Sequence, residues 1–144
     1  MRTRIAAVTI ALTVGLGGIA LAPAADAAHP QSASAAVARI VKAPGFNAGG
    51  TWTVYQTNLI NATLTVAQDA QGNLTGTATN SNGATGPIEQ GFVDGNYVYF
   101  VIPWSDGAKG RYIGSLDAGR HLTGATTNVN APAIQATWRT ERTF

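Results

Sequence analysis

From residue 51 onward the chain alternates apolar and polar positions in short runs. Ile60, Ala62, Leu64 and Val66 fall on one face, with Asn61, Thr63, Thr65 and Ala67 on the other. Leu74, Gly76 and Ala78 alternate with threonines, and Ile134, Ala136 and Trp138 alternate with Gln135, Thr137 and Arg139. A period of two is the mark of a strand with one buried face. Such runs, bounded by Gly, Asn, Asp or Pro, predict eight strands at 51–56, 60–68, 73–80, 88–94, 96–104, 109–117, 121–128 and 133–142. All connections are short, so consecutive strands should pair as antiparallel hairpins. The expected fold is all-β, an eight-stranded antiparallel up-and-down β-barrel, which leaves no free edge. A two-sheet sandwich is the rival, and it normally needs a long crossover that this spacing does not provide.

The up-and-down path sorts the connections into two ends. At one end lie the tight turns 69–72, 94–95 and 117–120, each starting with Asp, which accepts local backbone hydrogen bonds while Gly or Ala-Gly supplies positive φ. Trp52, at the start of the first strand, and Arg142, at the end of the last, meet at this end if the barrel closes. Their pairing predicts a guanidinium laid across the indole, a structural plug. At the other end lie 57–59, 81–87, 105–108 and 129–132, less regular and flanked by amides or aromatics. Barrel ligands enter at such a mouth. The candidate ligand-binding residues are therefore Gln56, Asn58, Asn80, Trp104, Tyr112 and Asn128, with Trp104 and Tyr112 facing each other across the 105–108 hairpin. The bland alternative is a barrel filled by its own side chains, with rim asparagines that only cap turns.

Two stretches repeat a phrase: "DAQGNLTGTATN" from Asp69 and "DAGRHLTGATTN" from Asp117. Both place an Asp head at the closed end, climb the wall as Leu-x-Gly-x, and reach the mouth only at their final residues, Asn80 and Asn128. The spacing suggests a four-strand half-barrel used twice. On the outside of the predicted wall, Phe92, Tyr97, Tyr99 and Val101 share a face and form a possible interface. A bulge near Gly91 would turn some of them inward.

Composition changes the picture in the N-terminal third. Arg2 and Arg4, an apolar run and Ala25-Asp26-Ala27 have the layout of a cleaved secretory signal peptide over 1–27. The rival is a membrane anchor, disfavoured by the glycines, Pro23 and the small-residue cleavage site. Residues 28–48, rich in Ala and Ser, are expected to be a flexible leader, and 49–144 the barrel domain. The expected location is secreted, with no membrane association after cleavage. The formal charge of +2 includes Arg2, Arg4 and Asp26, so the remainder carries seven basic and six acidic residues. The basic residues are scattered, which argues against nucleic acid as a partner. With no cysteine, the domain must stand on packing and hydrogen bonds alone.

Catalytic chemistry finds no constellation. His29 lies in the leader and His121 follows a closed-end turn, while Glu89, Asp106 and Glu141 are isolated carboxylates. No catalytic residue, metal ligand or cofactor is assigned, and the chain is expected not to be an enzyme. Asn61 and Asn73 fit the glycan acceptor pattern by chance, being placed in strands.

"GGTW" opening the barrel and a late Arg after "ATW" resemble the calycin pattern shared by lipocalins and avidins. The run "GTWTVYQTNLINATLTVAQDAQGNLTGT" is most similar to the avidin–streptavidin group, over most of Gly50 to Asn80. That resemblance implies a barrel with a ligand at its mouth. It does not carry biotin over, because the group's biotin-holding Asn and Tyr fall at Val54 and Ala78, and of its pocket tryptophans only Trp104 has a match. The expected function is a secreted binding protein for a small uncharged ligand at the mouth. The alternatives are an extracellular protein-interaction module, for instance an inhibitor of a secreted enzyme, acting through the outer patch or leader over a packed core and with homo-oligomerisation possible. A barrel that only shapes a substrate ranks last.

Overall fold

The computed structural model describes residues 42–144, so the expected signal peptide and most of the expected leader lie outside the described residues. Nine strands form one antiparallel sheet: β1 (Gly50–Gln56), β2 (Ala62–Gln68), β3 (Asn73–Asn80), β4 (Thr85–Pro87), β5 (Glu89–Asp94), β6 (Tyr97–Pro103), β7 (Lys109–Leu116), β8 (His121–Asn128) and β9 (Gln135–Thr143). Neighbours run β2, β1, β9, β8, β7, β6, β5, β3, and β2 pairs with β3 again, which closes the barrel. Its walls number eight, because β4 and β5 are two pieces of one wall interrupted at Ile88.

The alternation read from sequence sets the inside and outside. Ala62, Leu64 and Val66 of β2 are buried, while the threonines between them face out. Two cross-strand threonine pairs, Thr51 with Thr65 (3.3 Å) and Thr53 with Thr63 (3.2 Å), line the outer surface of β1 and β2. The wall containing β4 and β5 departs from the expected single strand. Thr85–Pro87, expected in a mouth loop, pairs with Thr77–Thr79 of β3, so that loop shrinks to a turn held by Asn80. A bulge between Glu89 and Phe92 then absorbs one residue, with Gln90 at φ 51°. It lets Ile88 and Val93 both face inward.

The interior is packed from the closed end upward by aromatic rings. Phe46 meets Phe144 at 5.8 Å, Phe144 meets Trp52 at 5.4 Å, Trp52 meets Phe100 at 6.1 Å, and Phe100 stacks on Tyr112 at 4.8 Å. Trp138 fills the remaining width by lying against two glycines paired in register, Gly114 and Gly124. A Cβ at Gly114 would stand 2.6 Å from that indole.

The plug at the closed end differs from the expected pair in its partner. Arg142 lies over the ring of Phe144, 4.7 Å from its centroid, and Phe144 in turn meets Trp52 edge-on. In the seam, β1 and β9 pair Tyr55 with Arg139 and Gln56 with Trp138, and Thr57 N donates to the Thr137 carbonyl (3.0 Å), all near the mouth. That pairing stops short of Trp52 and Arg142, and Phe144 packs on the indole. The end of the expected leader belongs to the same plug. Phe46 and Ala48 are buried in the core, the Trp52 indole donates to the Ala48 carbonyl (2.8 Å), and the Gln68 amide joins Ala48 N (2.7 Å) to the Phe46 carbonyl (3.1 Å).

The repeated phrase shares its main turn hydrogen bonds at its head, although Asp69 also accepts from Gln71 N and Asn73 Nδ2. Asp69 accepts from Asn73 N at 2.8 Å and Asp117 from His121 N at 2.9 Å, while Gly72 N and Arg120 N donate to the Asp69 and Asp117 carbonyls. Gly72 sits at φ 86°, and its counterpart Arg120 at φ 62°. The positive φ of the second turn thus falls on Arg120 and not on the Ala-Gly pair. A non-glycine residue there is strained by about 1–2 kcal/mol, offset in part by the entropy a glycine would lose. Arg120→Gly is expected to raise stability by about 0.5–1 kcal/mol, measured by urea unfolding.

Candidate ligand site at the barrel mouth

The mouth of the barrel holds a cavity of about 240 Å³. Gln56, Asn58, Asn80, Trp104, Tyr112 and Asn128, the six residues selected from sequence, all line it. They arrive from four walls and two turns. Gln56 ends β1, Asn80 ends β3, Asn128 ends β8 and Tyr112 stands in β7, while Trp104 and Asn58 lie in the turns just beyond β6 and β1. Sequence reasoning missed Gly110, Thr126, Ile60 and Ile134 as lining residues. The isoleucines had a signal, since each continues an inward-facing series past the end of its strand.

Tyr112 makes the floor. Its ring stacks on Phe100 at an interplanar angle of 9°, and its hydroxyl lies among the side chains of Thr126, Trp104 and Gln56. Gln56 is held in turn, its Nε2 donating to the Ile60 carbonyl and its backbone N–H bonded to Asn61 Oδ1 at 3.1 Å. Gly110 fits between the two aromatic side chains, and a Cβ there would meet the Trp104 indole nitrogen at 3.1 Å and the Tyr112 hydroxyl at 3.2 Å. Burial pushes the Tyr112 phenol above its ordinary value of 10.0, with Thr126, Trp104 and Gln56 pulling the other way. The folded protein therefore holds this proton more tightly than the unfolded chain. The stability so contributed is intact below the ordinary value and lost as pH rises through the folded value. Thermal unfolding across the alkaline range should show a fall in stability above about pH 10 that is shallower in Tyr112→Phe.

The outer aromatic face is less open than its residues suggest. Phe92 stacks on Tyr99 at 5.1 Å and meets Tyr97 at 6.1 Å. Val101 stands in register with Glu89 and Arg111 and is 3% exposed, so it is not part of an accessible patch. At the mouth, by contrast, Leu59, Val129 and Ile134 are exposed apolar side chains at the rim.

No protein-family model, no curated protein and no solved structure matches the chain. The geometry itself is that of a closed eight-walled antiparallel barrel, compatible with a calycin-like fold. At the two positions where the avidin group holds biotin, Val54 and Ala78 are buried apolar members of the core.

Proposed function

We propose that this chain is a secreted, non-enzymatic, calycin-like binding protein that takes a small uncharged ligand at the open end of its barrel. The observation that carries the reading is the convergence of amides and aromatics around one cavity at the mouth, above an interior packed with aromatic rings. At about 240 Å³ the cavity is smaller than the ~300–1,000 Å³ that drug-sized ligands occupy. A ligand of modest size with one flat face suits it. The exposed apolar rim favours the same kind of molecule, because closing over it would bury Leu59 and Ile134. A protein-interaction role has less beneath it: of the four outward residues, Val101 is buried and Tyr97, the most open, is 38% exposed.

The test is a screen of small neutral compounds by intrinsic tryptophan fluorescence, repeated on Trp104→Phe. Saturable changes that vanish in the variant support the reading. A screen in which no compound gives a saturable change at any concentration reached would sink it.

A further inference from the structure

Hydrogen bonding at the rim decides which atoms of the mouth are available to a ligand. Asn80 Oδ1 accepts from the backbone N–H groups of Asn82 (3.0 Å) and Ala84 (3.0 Å). Asn128 Oδ1 accepts from those of Lys109 (3.3 Å) and Asn130 (3.0 Å). An amide oxygen has two lone pairs, so both oxygens are fully occupied by their turns. What each side chain has left is its NH₂ group, and neither Nδ2 has an acceptor among the described residues. Asn58 is tied in the same sense, its Oδ1 accepting from Ile60 N at 3.0 Å. Deeper polar atoms face one another around the Tyr112 hydroxyl. The three asparagines are thus fixed as donors by the turns beneath them, while Asp106 and Gln135 present acceptor oxygens on the same rim.

Topology places the two principal donors apart. Asn80 ends β3 and Asn128 ends β8, and around the closed barrel these walls lie four steps from each other in either direction. The two amides stand on opposite walls, a direct result of the half-barrel phrase being used twice. Charge narrows the choice further. Asp106 and Tyr112 are the ionisable side chains lining the cavity, and no Lys, Arg or His lines it. An anionic acceptor would have no counter-charge and would face the Asp106 carboxylate.

We propose that the ligand is a neutral, flat molecule carrying carbonyl-type acceptor oxygens on opposite edges, held between Asn80 Nδ2 and Asn128 Nδ2 with its face toward Trp104 and Tyr112. This rests on the reading of the mouth as a ligand site. Asn80→Asp and Asn128→Asp test the donors, because Asp keeps an oxygen for both backbone N–H groups of the turn and replaces the NH₂ with an anionic acceptor oxygen that repels a ligand carbonyl. The probe is 1,4-naphthoquinone, usable here because the chain has no thiol to add to it, and naphthalene is the matched ring without oxygens. Calorimetric titration and ¹H–¹⁵N spectra of the full chain provide the readouts.

The quinone is expected to saturate and to shift the side-chain amide signals of Asn80 and Asn128. Each Asp variant should keep its melting temperature and bind roughly 10- to 100-fold more weakly, with naphthalene similarly weak on the parent protein. Quinone binding that both Asp variants leave intact, or naphthalene binding equally well, overturns the donor clamp while leaving the mouth as a site. If neither probe shifts any mouth resonance, the donor clamp for a flat dicarbonyl ligand is overturned, and the mouth as a site stands or falls on the compound screen.

Discussion

Gly124→Ala is expected to leave little or no folded barrel. A Cβ at this position would overlap the Ile113 carbonyl oxygen, and would stand 2.7 Å from Gly114 Cα and 2.8 Å from the Trp138 indole. Two of these three obstacles are backbone of β7, paired to β8 along seven consecutive residues. In a closed barrel that wall cannot back away without breaking its pairing with β6. Overpacking a core typically costs 1–3 kcal/mol, and obstruction by backbone puts this case at about 3–5 kcal/mol. That is a large part of the ~5–15 kcal/mol that holds a domain of this size. Urea unfolding should show it as a collapsed midpoint or as loss of the soluble protein. Shrinking the indole does not help, since Gly124→Ala with Trp138→Phe still meets the carbonyl. Rescue by that second substitution would mean the ring, and not the wall, is the obstacle.

The strength of this constraint explains what was legible in the sequence. The alternation of β2, β3 and β9 reports burial residue by residue, so strands, barrel and the two ends follow from local pattern. Asn80 and Asn128 were legible for the same reason: they continue inward-facing series and fall at the same place in a repeated phrase. Contacts that join distant residues left no such trace. The Gln68 amide that anchors Phe46 and Ala48 acts across about twenty residues, so an Ala- and Ser-rich stretch read as loose chain ends inside the plug. Arg142 lies over Phe144, and Phe144 meets Trp52, at an end of the seam where β1 and β9 are not paired, a property of closure and not of either strand. Thr85–Pro87 looked like loop because Gly and Pro dominate it, yet an edge-like fragment beside a bulge accepts both. Gly110 was equally silent, since its importance lies in the space it leaves.

That space is the basis of the second large effect. Gly110→Ala is expected to close the mouth to ligand while leaving the barrel folded. The added methyl would stand 2.8 Å from Tyr112 Cε2, inside van der Waals contact, and 3.1 Å from the Trp104 indole nitrogen. Tyr112 cannot retreat, because its ring is stacked on Phe100 within the core. Trp104 sits at the turn beyond β6 and borders open cavity, so it is the side chain that yields, swinging into the volume a ligand would use. The stability cost is then modest, about 1–2 kcal/mol, since the displaced ring moves into a void and not against backbone. Binding of the quinone probe should weaken by about a hundredfold or more, equivalent to ~2.7 kcal/mol. The contrast with Gly124→Ala is the informative part. Both add one methyl to an inward-facing glycine, yet one should abolish the fold with its site and the other the site alone. Retention of full probe affinity in a folded Gly110→Ala protein would place the ligand elsewhere than between Trp104 and Tyr112.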